Sequence, residues 1–255
     1  MRRRLTNNEL FNYLIDKSNE KFEGWDFSYI ERTGRMQEFP LTWNYRNKVM
    51  REMYGISSLL DMGTGGGEFL STLSPLPKYT CATEGYVSNI SIARNRLEPL
   101  GVKVYKVEDD EELPFNDETF ELVINKHESY SPKEVRRILD NNGIFITQQV
   151  GGLNDKEINE ILEASVEFID WNLKNAVAEL EEVGLNIFEQ REDLVKTRFY
   201  DIGAIVYYLK AIPWQVPDFT IEKYFDKLLK IHNMIEKLGY VDFTCHRFFI
   251  MANKE

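Results

Sequence analysis

The feature that most constrains this chain is a turn with four glycines between an apolar segment and a segment with helical spacing. The apolar segment covers residues 56–60, and the glycines lie within residues 63–67. The spacing of Phe69, Leu70 and Leu73 predicts a helix directly after the turn. Glycine suits positions with positive φ or positions where a ligand contacts the backbone. A strand, a glycine turn and a helix N-terminus form a nucleotide-sized cradle with free N–H groups.

Acidic residues around this turn distinguish between two kinds of nucleotide cofactor. The dinucleotide fingerprint G-x-G-x-x-G requires a glycine or an alanine where this chain has Glu68. Asp61 adds a second carboxylate, and the two would repel a pyrophosphate but attract a ligand with an ammonium and a sulfonium group. Glu84 ends the next apolar run, where an acid can accept both ribose hydroxyls. The pattern therefore favours S-adenosylmethionine (SAM) over NAD.

Four segments resemble, in order and spacing, the motifs of class I SAM-dependent methyltransferases. Residues 61–67 (DMGTGGG) resemble motif I, D/E-x-G-x-G-x-G, and Glu84 is similar to the family's second-strand acid. Residues 108–115 (EDDEELPF), followed by 120–124 (FELVI), resemble the D-x-x-x-LPF…FD-V segment of members that act on small molecules. The resemblance is strong over roughly residues 56–150 and weak in the flanks.

The resemblance implies an α/β fold with a Rossmann-like, doubly wound, mostly parallel sheet of seven strands. We expect residues 51–255 to form the SAM-binding methyltransferase domain, with a helical insertion at about 200–239 before the last strand. Residues 1–50 are expected to form an N-terminal helix and an aromatic region. This aromatic region is either a lid over SAM and substrate or a packing cover over the sheet edge.

The resemblance also implies which residues hold the cofactor. These residues are Asp61, Gly63, Thr64, Gly65, Gly67, Glu84, Gly85, Asp109, Asp110 and Asn125. The register from residues 113–115 makes Asp109 the motif aspartate and Asp110 its neighbour, and the choice of adenine partner stays open between them. Arg46 is predicted to pair with the SAM carboxylate, because charged hydrogen bonds from arginine to carboxylates are strong.

The loop after residues 120–124 is the expected place of the chemistry, because ligands of open α/β sheets lie at the carboxyl ends of strands. His127 and Glu128 are candidate bases or substrate anchors; alternatively, this loop only borders SAM and substrate. Methyl transfer from a sulfonium depends mainly on alignment, so no catalytic triad is required. The scattered histidines and the two cysteines do not suggest a metal site.

Aromatic and amide side chains are the candidate contacts with the substrate. Gln148 and Gln149 are polar at a buried strand end, so the substrate or the His127 loop is expected to satisfy at least one of their amides. The aromatic candidates for an apolar acceptor pocket are Trp43, Tyr45, Tyr200 and Trp214. The alternative for these aromatic residues is that they pack the flanking segments onto the body.

Charge and hydropathy limit the partners. The net charge of −11 disfavours binding to a phosphate backbone, and no apolar run reaches the length of a membrane helix. We therefore expect a cytoplasmic methyltransferase with a small-molecule acceptor and no membrane partner. The alternatives are an RNA-modifying methyltransferase and a noncatalytic SAM-binding regulatory module, and a NAD-dependent dehydrogenase is least favoured.

Overall fold

The structure, a computed structural model, describes residues 6–22 and 25–255 and builds them around one mixed sheet. Residues 1–5 and 23–24 of the predicted N-terminal region lie outside the described residues. The strands are β1 (Met36–Glu38), β2 (Ser58–Met62), β3 (Tyr79–Glu84), β4 (Lys103–Lys106), β5 (Phe120–Lys126), β6 (Leu139–Val150), β7 (Leu185–Phe199) and β8 (Val241–Lys254). The α-helices are α1 (Asn7–Ser18), α2 (Ser28–Glu31), α3 (Tyr45–Glu52), α4 (Val87–Leu97), α5 (Pro132–Ile138), α6 (Lys156–Leu162), α7 (Leu173–Glu182), α8 (Ile202–Ala211) and α9 (Ile221–Leu238).

The sheet confirms the predicted α/β, Rossmann-like architecture. Its strand order is β1-β7-β8-β6-β5-β2-β3-β4, and the strands from β6 to β4 in this order run parallel. β8, β7 and β1 pair antiparallel at the other side. The prediction of seven strands misses one, because the short β1 pairs with the end of β7 through Met36 and Phe199.

The topology places a crevice at the ends of two adjacent strands. The chain runs from β2 outward to β3 and β4, then returns to β5 on the other side of β2. Ligands of open α/β sheets bind at such a switch point. Because Met62 pairs with Asn125, the glycine turn after β2 lies beside the loop after β5.

The helix predicted directly after the glycine turn is wrong. Leu70–Thr72 forms a single 3₁₀ turn, and the chain then crosses to β3 through Pro75 and Pro77. Proline lacks the N–H that a continuing helix needs. Leu70 and Leu73 are fully buried in the cluster that contains Leu59, so their spacing reflects a packed turn.

A cap stands over the carboxyl edge of the parallel strands. One hydrophobic cluster joins α1, α2, α8, α9 and β1 to the adjacent ends of β7 and β8. The β7–β8 ribbon carries this cap, since it continues from the last β6 pair, Val150 with Arg247, out to Phe199 with Val241. The N-terminal region and the helical insertion, which were predicted separately, therefore pack as one unit.

Capping residues set the boundaries of the cap helices. Thr6 and Glu9 form a capping box at the start of α1, as the sequence T-N-N-E indicates. Asp201 and Thr220 accept backbone N–H groups at the starts of α8 and α9. α9 ends at Gly239, whose φ of 86° is the left-handed conformation that glycine supplies at helix ends.

Candidate active site

The glycine turn is anchored from its own strand and from the neighbouring strand. The Thr64 hydroxyl donates to the Asp61 carboxylate at 2.7 Å, and the Thr64 N–H donates to the Thr83 carbonyl at 2.9 Å. Burial raises the pKa of Asp61 to about 7, against the opposing effect of the Thr64 hydrogen bond. Asp61 is only 3% exposed. It therefore stabilises the turn through its buried hydrogen bond with Thr64.

Two of the glycines are required by close approach as well as by backbone conformation. Gly63 and Gly65 have φ of +65° and +61°. A Cβ on Gly63 would lie 2.3 Å from Cγ of Glu128, and a Cβ on Gly65 would lie 2.8 Å from Cδ1 of Trp25. The turn is thus covered by one side chain from the β5 loop and one from the N-terminal region.

A cavity of about 200 Å³ opens beside the turn. Its lining residues are Gly63, Thr83, Glu84, Gly85, Val107, Glu108, Asp110, Glu128 and Ser129. The predicted ribose acid Glu84 lies in the wall, 2% exposed, and its carboxylate accepts the Tyr86 N–H at 2.7 Å. Burial raises the pKa of Glu84, while the N–H groups of Tyr86, Gly65 and Gly85 oppose this shift.

The two adjacent aspartates occupy different environments. Asp110 lines the cavity, and its carboxylate accepts the Ser129 hydroxyl at 2.5 Å. The Asp109 carboxylate accepts the Glu111 N–H at 2.9 Å and so stabilises the turn that precedes residues 113–115. The geometry therefore favours Asp110 as the ligand-facing residue.

The loop after β5 directs Glu128 into the crevice. His127 has φ of +64°, which is uncommon for a residue with a side chain and is associated with functional sites. This conformation turns the chain so that Glu128 crosses Gly63. Burial and, to a smaller extent, the nearby charges of Asp110 and Glu84 together raise the pKa of Glu128 to about 7.

His127 is held by the next strand. Its N–H donates to the Gln148 carbonyl at 2.8 Å, and its Nε2 lies 2.9 Å from Nε2 of Gln148. The residue is exposed to solvent. Burial, with the charges of Arg247 and Lys126, lowers the pKa of His127 well below its usual value.

Asn125 and Gln149 belong to a closed internal network. The Gln149 amide donates to Asn125 Oδ1 at 2.7 Å and to the Glu128 carbonyl at 2.9 Å. Asn125 is fully buried and also accepts the Thr147 hydroxyl at 3.0 Å. Of the two partners predicted for the Gln149 amide, the His127 loop is the one observed. The side-chain amides of Asn125 and Gln149 therefore stabilise the loop after β5.

Trp43 and Tyr45 pack as a cover over the sheet, which is the second of the two roles that the sequence left open for them. They are 8% and 6% exposed and pack in the core cluster on one face of the sheet. The Tyr45 hydroxyl donates to the Asn125 carbonyl at 2.9 Å, and the Trp43 N–H donates to Gln148 at 2.8 Å. Their apolar packing together with these hydrogen bonds holds both side chains as a cover over the sheet.

The remaining predicted residues, Arg46, Tyr200 and Trp214, do not line the cavity beside the glycine turn. Arg46 donates to the Thr72 carbonyl at 3.0 Å, at the end of the 3₁₀ turn. Tyr200 is half-exposed and donates to Gln37 at 3.1 Å, at the β1 edge of the cap. Trp214 packs against Trp25, with ring centroids 5.6 Å apart, and so reaches the glycine turn indirectly.

Sequence reasoning missed residues that connect the cap to the body. Trp25 lies over Gly65 and contacts Tyr86, with centroids 6.2 Å apart. Arg247 pairs with Glu38 at 2.8 Å, and the Tyr208 hydroxyl donates to buried Asp155 at 2.8 Å. Trp25 lies in an aromatic-rich segment of the sequence, but this segment has no helical or strand periodicity that would predict its position. The other contacts join residues far apart in sequence, which no local pattern encodes.

The part of the chain that the structure describes contains neither a metal-binding cluster nor a membrane-spanning helix. Residues 6–22 and 25–255 hold no group of three or more His, Cys, Asp or Glu side chains suited to a metal ion. No helix within these ranges combines the length and the apolar character needed to cross a bilayer.

Comparison with known proteins agrees with this site. Residues 60–147 match a family model described as a methyltransferase domain. These residues run from β2 through the glycine turn, Glu84, Asp110 and the His127 loop to the middle of β6. No curated protein matches the chain.

Solved structures share the fold at low sequence identity. A proposed methyltransferase from Bacillus halodurans C-125 is 18% identical, with a TM-score of 0.60 over 82% of this chain and 98% of that one. The [4+2]-cyclase SpnF is 14% identical, with a TM-score of 0.54 over 98% and 96%. A geranyl diphosphate methyltransferase solved with SAM is 12% identical, with a TM-score of 0.50 over 82% and 84%. The fold is thus one that methyltransferases use, and the cyclase shows that another reaction also uses it.

Proposed function

We propose that this protein is a SAM-dependent methyltransferase that acts on a small-molecule acceptor. The observation that carries the proposal is the cavity beside the glycine turn, where Glu84 and Asp110 face the same space. The family match over residues 60–147 supports it. SAM fits this site chemically, because carboxylates accept hydrogen bonds from ribose hydroxyls and from an adenine amine.

The adenosine part of the cofactor has counterparts in the described residues. Glu84 would hold the ribose hydroxyls, and Asp110 rather than Asp109 would accept from the adenine amine. The backbone of Gly63 and Gly65 would lie against the ligand, since a Cβ at either position is excluded by neighbouring side chains. Trp25 would close this cradle from the cap side.

When bound, SAM supplies an electrophilic methyl group on a sulfonium. The chain contributes alignment, because the cap and the loop after β5 hold the acceptor over the crevice. Glu128 is the residue we propose to take the proton of the acceptor. Its pKa of about 7 suits a base that works near neutral pH, and it already reaches Gly63 at the centre of the site.

The cap and the surface charge support a small acceptor. The cap cluster packs over the carboxyl edge of the parallel strands, and a cover over this edge favours a small acceptor over a polymer. The net charge of −11 repels phosphate backbones, which weighs against the RNA-modifying alternative.

The decisive test is a calorimetric titration with S-adenosylhomocysteine (SAH), with NAD as the control. We expect binding of SAH alone, and binding of NAD in preference would refute the cofactor assignment. Methyl transfer from labelled SAM to a panel of small acceptors then separates an enzyme from a binding module. Glu128→Gln should keep SAH binding and lose turnover, and equal turnover in this variant would remove Glu128 as the base.

A further inference from the structure

The protonation of the His127 ring follows from a chain of two hydrogen bonds. Trp43 Nε1 lies 2.8 Å from Gln148 Oε1, and Gln148 Nε2 lies 2.9 Å from His127 Nε2. An indole N–H can only donate, so it fixes the Gln148 oxygen toward Trp43 and the Gln148 NH₂ toward His127. The NH₂ group can only donate as well. His127 Nε2 must therefore accept, and the proton of the neutral ring lies on Nδ1.

The surroundings keep this arrangement in one orientation. Trp43 is buried and stacks on Phe249, with centroids 6.0 Å apart, so its indole cannot turn away from Gln148. The His127 N–H donates to the Gln148 carbonyl at 2.8 Å. One strand residue thus holds both the backbone and the ring of His127.

The open side of this edge carries donors. His127 Nδ1 forms no hydrogen bond to any residue within 6–22 and 25–255, and the side chain keeps accessible surface. Lys126, the last residue of β5, is also accessible, with Nζ 5.5 Å from the Phe69 ring centroid. It forms no ion pair inside the same described ranges, whereas Arg247 nearby is paired with Glu38. An N–H and an ammonium therefore remain for a ligand.

We propose that Trp43 and Gln148 are positioning residues that hold His127 as a hydrogen-bond donor to an oxygen atom of the methyl acceptor. The acceptor is then a small molecule with a carbonyl or carboxylate oxygen beside its methylated atom, and Lys126 provides the second donor to that group. This inference rests on the proposed function for the identity of the ligand. The tautomer itself rests on contacts within the protein.

The same contacts argue against His127 as a base. A proton on Nε2 would point at the NH₂ of Gln148, so protonation requires the loss of that hydrogen bond. The charged groups around the ring act in the same direction, because Lys126 and Arg247 are positive and lower the pKa of His127, while Glu128 is the adjacent acid. The proton of the acceptor is left to Glu128.

Nitrogen NMR of histidine-labelled protein tests the tautomer directly. The chain has three histidines, and His127→Asn identifies the resonances of His127, with His232 as the internal control. We expect the Nδ1–H tautomer in the wild type, with no titration near the ordinary histidine pKa of about 6.5. In Gln148→Glu a carboxylate can only accept, so His127 should change to Nε2–H or show a raised pKa. An Nε2–H ring in the wild type, or an unchanged ring in this variant, would overturn the proposal.

A second variant and a probe complete the test. Trp43→Phe keeps the aromatic packing but removes the indole donor, so a mixture of tautomers is expected even if Gln148→Glu does not fold. Acetate added to the SAH-saturated protein should shift the His127 Nδ1 resonance, and trimethylamine should not. No response to acetate would refute the acceptor class. Failure of SAH binding would instead refute the proposed function and leave the tautomer measurement interpretable.

Discussion

Replacement of Gly63 by alanine separates backbone strain from crowding at the centre of the site. Gly63 has φ of +65°, and its new Cβ would lie 2.3 Å from Glu128 Cγ. Gly34 is a matched control, because it has φ of +69° and nothing within 4 Å of its Cβ position. The left-handed conformation costs a residue with a Cβ about 1–2 kcal/mol. Gly34→Ala should lose that amount of unfolding free energy and keep its affinity for SAH.

Gly63→Ala should lose more, because the Glu128 side chain must also move. Overpacking in a filled site costs about 1–3 kcal/mol, so the total loss is about 2–5 kcal/mol. Thermal or denaturant unfolding measures this quantity, and calorimetry measures the accompanying loss of SAH binding. Gly63→Ala in a Glu128→Gly background removes the crowding, because Cβ of Glu128 also lies 2.5 Å from the new Cβ. This double variant should lose only the strain, about 1–2 kcal/mol, relative to Glu128→Gly alone. Equal losses in Gly63→Ala and Gly34→Ala, with SAH binding intact in both, would refute the close approach of Glu128 to the turn.

Three further predictions follow from individual contacts. Asp110→Asn should weaken SAH binding by about 1–3 kcal/mol through the lost carboxylate, whereas Asp109→Asn should leave it near the wild-type value. Calorimetry on both variants decides which aspartate faces adenine. A larger loss of SAH affinity in Asp109→Asn than in Asp110→Asn would contradict the cavity geometry. Burial raises the pKa of Asp155 from 3.8 to about 7, so its contribution to folding is fully present below pH 4 and is lost as the pH rises toward 7. The unfolding free energy of Asp155→Asn should therefore fall less than that of the wild type across this pH range. Parallel curves of unfolding free energy against pH would show that Asp155 does not titrate there. Arg46 donates to the Thr72 carbonyl and Lys126 is assigned to the acceptor, so Arg46→Met and Lys126→Met should both keep SAH binding. Lys126→Met should also weaken the response of His127 Nδ1 to acetate, with Lys230→Met as the charge-matched control. A loss of SAH binding in Lys126→Met that spares 5′-methylthioadenosine, which lacks the carboxylate, would contradict this assignment.

The sequence predicted those parts of the site that depend on local pattern. The glycine turn, Glu84 and the loop after β5 lie together because parallel strands align their carboxyl ends at one edge. The pairing of Met62 with Asn125 places the glycine turn beside the loop after β5. The cap helices were also predictable, because residues such as Asp201 and Thr220 mark helix starts.

Other parts depend on contacts that no local pattern encodes. The sequence left a lid and a packing cover open for Trp43 and Tyr45, because both are aromatic and precede the cofactor strand. Their burial against Phe249, a contact distant in sequence, makes them a cover. The helix after Gly67 was expected from three apolar residues, but Pro75 and Pro77 leave room for one turn only. The choice between Asp109 and Asp110 required the position of Ser129, which comes from a different strand end.

The place of β8 in the sheet has a consequence for the order in which this protein folds. β8 follows the other described strands in the sequence, yet it lies between β6 and β7 and carries one side of the cap ribbon. During synthesis, the strands from β2 to β6 can pair while β8 is still inside the ribosome. β7 pairs with β1, but no strand yet joins this pair and the cap to β6. Long-range pairing of this kind is slow, so the Rossmann-like half should be in place before the acceptor cleft exists. A chain truncated before residue 241 and released from the ribosome should already protect the glycine turn from proteolysis and leave α8 and α9 open to cleavage.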